Sequence, residues 1–209
     1  TMPAHDLIVY AKWIANSNTP YKVEHYQQNA NDDGYTKFET EELTRTTDST
    51  ATAMPKAYEG FTINTSAVGT VQSGTIVAEG SLTLKLYYDR EIYTITFDAN
   101  EGILSGENTQ TLKHGATVFT ADPTRSGYSF DGWYLDAEGT LSFNNIMPMN
   151  NITVYAKWTA GSVNYRVEHY VMGTDGEYPQ TASYNETKSG ISDTLLTLET
   201  LRNSSYEIE

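Results

Sequence analysis

Val9-Tyr10-Ala11-Lys12-Trp13, followed eight residues later by Tyr21-Lys22-Val23-Glu24-His25-Tyr26, returns as Val154-Tyr155-Ala156-Lys157-Trp158 and Tyr165-Arg166-Val167-Glu168-His169-Tyr170. A pair of motifs recurring at a fixed offset marks a repeat array, so every local pattern is one copy among several. Met2-Pro3 recurs as Met147-Pro148, 145 residues on. Met2 therefore reads as an internal repeat position, and the chain as part of something longer. That offset is too long for one solenoid repeat and fits two alternating modules.

Working outward, the recurring stretches alternate with period two. In Ile152-Thr153-Val154-Tyr155-Ala156-Lys157-Trp158 the inward set is Ile152, Val154, Ala156 and Trp158, and in Tyr93-Thr94-Ile95-Thr96-Phe97-Asp98 it is Tyr93, Ile95 and Phe97. Each is the pattern of a half-buried strand. Leu82, Leu84 and Leu86 alternate in the same way with Thr83, Lys85 and Tyr87, and four residues lead from there to Tyr93. So short a link predicts modules joined nearly end to end. Sixteen tyrosines and fifteen glycines also favour strands and turns over helices. The best places for one short helix per module are 41–54 and 117–125, although threonine-rich 44–52 lacks an apolar stripe.

These signals divide the chain into residues 1–13, the last strand of a preceding module; a module over 14–90; a second over 91–159; and a partial copy of the first over 160–209. The copy aligns through Asp32-Asp33-Gly34-Tyr35 with Asp175-Gly176-Glu177-Tyr178, and through Phe61-Thr62-Ile63 with Tyr206-Glu207-Ile208. It contains no counterpart of Ser81-Leu82-Thr83-Leu84-Lys85-Leu86, which predicts an open sheet edge and the least stable part of the chain. Leu7, Val9, Ala11 and Trp13 are likewise expected to lack partners. Modules of about 70 residues bury only about 60% of their unfolded surface, so stacking on neighbours would help to hold them.

Composition narrows the function classes. With 27 acidic and 13 basic residues the formal charge is −14, which disfavours nucleic acid and anionic membrane as partners. The absence of cysteine removes disulfides, thiolate catalysis and cysteine-based zinc sites. No run of 18 apolar residues and no secretion leader is present in these 209 residues, so no membrane insertion is expected of this segment.

Tyr93-Thr94-Ile95-Thr96-Phe97-Asp98-Ala99-Asn100-Glu101-Gly102, then Pro123-Thr124-Arg125-Ser126-Gly127-Tyr128-Ser129-Phe130-Asp131-Gly132-Trp133-Tyr134, then Val154-Tyr155-Ala156-Lys157-Trp158 resemble the Listeria-Bacteroides repeat, the B-repeat of internalin-type surface proteins. Tyr21-Lys22-Val23-Glu24-His25-Tyr26, through Ser73-Gly74-Thr75-Ile76 to Leu84-Lys85-Leu86-Tyr87-Tyr88-Asp89, is similar to the mucin-binding-protein-like repeats that accompany it. The resemblance implies small β-grasp-like folds, a sheet wrapped on one short helix, in secreted or wall-attached proteins. The expected fold class is thus mostly β, of the α+β kind, in tandem modules forming an elongated array. The usual Asn-Gly-Gly after the first strand reads Asn100-Glu101-Gly102 here.

Candidate chemistry is sparse. His25 and His169 fall at one place in the two Val-Glu-His-Tyr strands and read as half-buried structural histidines, with Glu24 and Glu168 on the opposite, solvated face. Zinc needs three or four convergent ligands, and no His-x-Glu or His-x₃-His pair occurs. Asp98-Ala99-Asn100-Glu101-Gly102 opens like a calcium loop, but position twelve is Thr109 where a glutamate is required, so it reads as a turn. Asp136-Ala137-Glu138-Gly139 reads as a hairpin connection. Among Asp32, Asp33, Glu39, Glu41 and Glu42 none has the apolar setting that suits a carboxyl to acid catalysis. Gly-x-Ser-x-Gly and phosphate-binding glycine loops are missing. Tyr128, Phe130, Trp133 and Tyr134 could stack on a sugar but better fill a small core. Lys22, Lys85 and Lys157 merit inspection for lysine crosslinks of the kind found in surface adhesins.

No catalytic, cofactor-binding or metal residue is therefore assigned, and no cofactor. The reading is a non-enzymatic, extracellular repeat segment of a bacterial cell-surface or cell-wall protein, monomeric in itself, serving as a stalk and contributing to adhesion. Its rival is a module that binds host glycoprotein, mucin or glycan directly, through exposed Tyr26, Tyr87 or the sheet edges.

Overall fold

Alternating apolar residues make strands here because every second side chain can be buried while its neighbours stay wet. The computed structural model describes Asp6 and residues 8–196. Within them the strands are β1 (Thr19–Gln28), β2 (Tyr35–Arg45), β3 (Thr50–Thr52), β4 (Phe61–Ile63), β5 (Ser73–Thr75), β6 (Thr83–Arg90), β7 (Ile92–Asp98), β8 (Thr109–Lys113), β9 (Tyr128–Tyr134), β10 (Ile152–Ala160), β11 (Ser162–His169) and β12 (Tyr184–Ile191).

Two compact units emerge. Among the described residues, the first runs to Tyr93 and takes in Leu112–Thr117 and Met147–Asn150, whereas the second holds Thr94–Thr111, Val118–Ile146 and the residues from Asn151 on. These contacts cut across a simple division by sequence. Two short pieces of the 91–159 stretch pack with the first unit.

In the first unit the main sheet has the order β2-β1-β6-β4, with β1 antiparallel to β2 and parallel to β6. The parallel register places Val23 opposite Leu84 and His25 opposite Leu86, so the apolar sets of the two strands share one face. Tyr21, Val23, Leu84, Leu86 and Tyr88 pack there with Ala51, Ala53 and Ile76 into one core. Burial of that set at about 25 cal/mol per Å² of apolar surface is the main force holding the sheet.

The second sheet has the order β8-β7-β10-β9. β10 runs parallel to β7 and antiparallel to β9, and Ile95, Phe97, Val154 and Ala156 are all at most 2% exposed. Trp158 lies on the same strand, where its Nε1–H donates to the Ala99 carbonyl at 2.9 Å. In the second unit β11 and β12 form a two-stranded antiparallel sheet.

Three expectations are corrected. No helix occurs among the described residues, so the fold there is mostly β and lacks the helix that an α+β, β-grasp description requires. Residues 41–45 extend β2 and 50–52 form β3, with a turn between them that holds Asp48 at φ 65°. β-Branched threonines and the missing apolar stripe favour that outcome over a helix. Over 117–125, Pro123 and three threonines leave irregular backbone. Finally, residues 8–13, read as a strand, are exposed and lie outside any strand, because no described strand pairs with them. Leu7 and the 206–208 alignment fall outside the described residues.

Candidate functional site

The densest polar cluster surrounds His25, on β1, which is completely buried rather than half-buried. Its Nε2 lies 2.7 Å from Glu41 Oε1 on β2, and its Nδ1 lies 2.9 Å from the Tyr88 hydroxyl on β6. That hydroxyl also accepts the Lys56 backbone N–H at 3.0 Å. With one donor to give, Tyr88 points its O–H at Nδ1, which leaves Nε2 to carry the proton toward Glu41. Every member of this chain of bonds is satisfied, so it acts as a clasp across three strands.

Around it, Glu39 accepts from Lys56 and from the Tyr58 hydroxyl, and Lys56 also lies 3.4 Å from Glu41. The hydrogen bond from Lys56, then that from Tyr58, holds the Glu39 carboxyl below its usual range. Burial, then Glu39, pushes the Tyr58 phenol well up. These shifts favour charged carboxylates and neutral phenols, the opposite of what a general acid and an activated nucleophile need.

Glu24 is corrected from solvated to largely covered: its side chain is 14% exposed, Lys37 lies at 3.1 Å, and the Tyr26 hydroxyl donates to it at 2.6 Å. That bond lowers Glu24 and raises the Tyr26 phenol to about 12. Tyr26 stacks on Tyr87 at 4.9 Å with Lys85 over its ring, so neither tyrosine stands free as the exposed contact expected. Asp89 accepts from Tyr35 and, at 2.8 Å, from Asn64.

His114 makes a second cluster in the first unit. Arg90 Nη1 donates to its Nε2 at 2.9 Å and to its carbonyl at 3.2 Å, while Arg90 Nε donates to the Gln28 carbonyl at 2.6 Å. Phe61 stands edge-on to the imidazole at 4.9 Å. Burial, then the Arg90 charge, lowers the His114 pKa.

The two acidic loops that the sequence reads as turns are turns. Asp98 accepts the Asn100 N–H at 2.8 Å, and Asn100 and Glu101 both adopt positive φ, the signature of a type I′ turn closed from Gly102 N–H to the Ala99 carbonyl. Asp136 spends its oxygens on the N–H groups of Thr140 and Leu141, at 2.8 and 2.6 Å, which lowers its pKa. Among the described residues no group of three or more His, Cys, Asp or Glu is disposed to hold a metal.

In the second unit an open groove of about 380 Å³ is lined by Phe119, Asp122, Phe130, Asp131, Trp133 and Tyr134, among others. The aromatic faces are mostly spoken for: Trp133 packs edge-on to Phe97 and Phe130, and Lys157 sits over Tyr134. The three lysines inspected for crosslinks have other partners. Lys22 pairs with Glu42 at 2.8 Å, Lys157 donates to the Gly139 carbonyl at 3.0 Å, and Lys85 lies over Tyr26.

What the repeat does copy is local. His169 Nε2 lies 2.8 Å from Glu186 Oε1 on β12, as His25 lies near Glu41 on β2, but the alignment that makes the His25 contact a hydrogen bond is missing at His169. In both hairpins the glutamate stands opposite the valine two residues before the histidine, Val23↔Glu41 and Val167↔Glu186. The Tyr170 hydroxyl donates to Glu168 at 2.7 Å, as Tyr26 does to Glu24. Glu41 was weighed only as a catalytic carboxylate and Glu186 was not named, and neither was paired with its histidine from the sequence, since each is on another strand.

Compared with known families, residues 93–157 match the Listeria-Bacteroides repeat domain. Such repeats are typical of bacterial surface proteins. The match covers β7 to most of β10, the second sheet.

Proposed function

We propose that this chain is a non-enzymatic spacer segment of a bacterial surface protein, in which alternating β modules hold a distal domain away from the cell wall. The observation that carries this reading is the repetition of one strand pattern, with a histidine beside a glutamate of the neighbouring strand, on both sides of a Listeria-Bacteroides repeat. The satisfied bonds around His25, the Glu39 and Glu24 carboxylates lowered by their partners and the phenols raised by theirs support it, because they hold strands together and leave no poised reactive group there. The net charge of −14 favours repulsion between neighbouring copies and a solvated surface. The mucin-binding-like repeat and a contribution to adhesion belong to the same reading.

X-ray scattering on chains with two, three and four tandem copies tests it: the maximum dimension rises by a constant increment per copy. A radius that grows only as a compact sphere would sink the spacer role. Saturable binding of one isolated module on a glycan array, lost with Tyr87→Ala, would favour direct host recognition instead.

A further inference from the structure

The loop that joins β1 to β2 is held in shape by its own side chains. The Asn29 N–H donates to the Gly34 carbonyl at 2.8 Å, and Asp32 Oδ1 accepts from Gly34 N–H and from Asn29 Nδ2, both at 2.7 Å. Thr36 Oγ1 donates to Asn29 Oδ1 at 2.7 Å. Closed by these internal bonds, the loop is preorganised, and holding a partner costs it little further ordering.

Its partner is Leu112–Thr117, a piece of the Listeria-Bacteroides match that packs inside the first unit. Lys113 Nζ donates to the Asp32 carbonyl at 2.7 Å and to Asp33 Oδ1 at 2.9 Å. The Asp33 side chain is 97% exposed, so the carbonyl bond fixes the lysine and the ion pair adds little. Asn31 spends both ends of its amide on Thr117: Oδ1 accepts the Thr117 N–H at 2.8 Å, and Nδ2 donates to Thr117 Oγ1 at 3.4 Å. Between them His114 enters beside Arg90 and Phe61, an approach that Gly60 permits, since a Cβ there would lie 2.8 Å from the imidazole Cε1. Gly115 has φ 75°, and a Cβ on it would lie 3.1 Å from Arg90 Nη1. Each of these four positions is read by a contact to its side chain or by the room its lack of one leaves.

We propose that the 29–34 loop, together with Arg90, is a docking surface for the Lys-His-Gly-x-Thr segment of a Listeria-Bacteroides repeat, a readout that sets which kind of module follows. Arg90 is its bracket, with Nε on the Gln28 carbonyl at the root of the loop and Nη1 on His114. The whole seat lies within the first unit, and the inference stands without the spacer reading.

Amide exchange on the whole chain tests it. Asn31→Ala, a change at an exposed loop position, speeds exchange at the Thr117 N–H by about tenfold and leaves Val23 and Phe97 unchanged. Leu84→Ala, which empties the first core, lowers protection at His114 and Gly115 by the same factor as at Val23, about thirtyfold or more, and spares Phe97 of the second sheet. Lys113→Met combined with Thr117→Ala erases the readout but keeps the backbone bonds of His114 and Gly115, and exchange at those two amides rises about tenfold. Unchanged exchange at Thr117 in Asn31→Ala overturns the proposal, as does opening of His114 and Gly115 with Phe97 and not with Val23. Equal losses at Val23 and Phe97 in Leu84→Ala would mean one cooperative fold with no separate seat. No rise in the double variant would mean that backbone alone holds the segment, and the readout fails.

Discussion

β1 and β11 share the pattern Tyr-Lys/Arg-Val-Glu-His-Tyr, yet the His25 side chain is fully buried and that of His169 keeps 17% exposure. Both histidines reach a glutamate on the neighbouring antiparallel strand at nearly the same distance. Among the described residues the difference follows the presence of a third strand beside β1. β6 supplies Leu84, Leu86 and the Tyr88 hydroxyl to the first copy, while His169 stacks on Tyr184 at 4.1 Å on its own hairpin. A two-strand ribbon can reproduce polar contacts by register alone, but burying a core takes at least one more element.

The strongest way to break that comparison is to empty the first core. Leu84→Ala removes a side chain with 0% exposure and is expected to cost about 2–5 kcal/mol. Val167→Ala, on the half-buried face of β11, is expected to cost about 1 kcal/mol or less. Local amide-exchange free energies on β1 and β11 measure both. Equal losses would show that the second hairpin already has a closed core.

Next in size is Tyr88→Phe. It removes the acceptor of the Lys56 N–H and the donor to His25 Nδ1, leaving two polar groups short of a partner, at about 1–3 kcal/mol. Chemical denaturation of the first unit, followed through exchange at Val23, reads the loss. No change would mean that water replaces the hydroxyl without penalty and that the clasp contributes little.

The alternation of Tyr93, Ile95 and Phe97, and of Leu84 and Leu86, was enough to place the central strands, because period-two burial is local information. The His–Glu pairs were not legible for the converse reason. Glu41 follows His25 by 16 residues, and Glu186 follows His169 by 17. The first hairpin also shifts register between His25 and Tyr26, so no fixed spacing identifies the partner. Glu24 was misread as solvated because alternation assigns faces but cannot show that Lys37 and Tyr26 close over the outer one. The short helices were placed at 41–54 and 117–125 as the best sites in a strand-rich sequence, although 44–52 lacks an apolar stripe, and the family likeness implied one helix per module as well.

A smaller effect sits in the second sheet, at the turn after β7. Glu101 holds φ 68°, a region where a side chain costs about 1–2 kcal/mol relative to glycine. Its ion pair with Arg125 is with a largely exposed carboxylate and offsets little of that. Glu101→Gly should therefore stabilise the second sheet by about 1 kcal/mol, seen as a raised denaturation midpoint. A lowered midpoint would mean that the Arg125 contact outweighs the backbone strain.

The smallest expected difference concerns His114 in the first unit, whose fold depends on its being neutral. The Arg90 guanidinium has only donors, so Nε2 must offer a lone pair at 2.9 Å and the proton resides on Nδ1. Nδ1 is buried without a hydrogen-bond partner among the described residues. Glu91, whose carbonyl accepts the His114 N–H at 3.0 Å, is the one nearby group whose charge opposes the shift, and it does not reverse it. Because the folded value lies below the ordinary 6.5, the unfolded chain takes up a proton that the folded chain refuses. The stabilisation is complete above 6.5 and is lost as pH falls through that value toward the folded one. His114→Gln keeps an acceptor for Arg90 and removes the titration, so the drop in denaturation midpoint between about pH 7.5 and about pH 5.5 narrows in the variant. An identical drop in both proteins would place the acid sensitivity of this unit elsewhere.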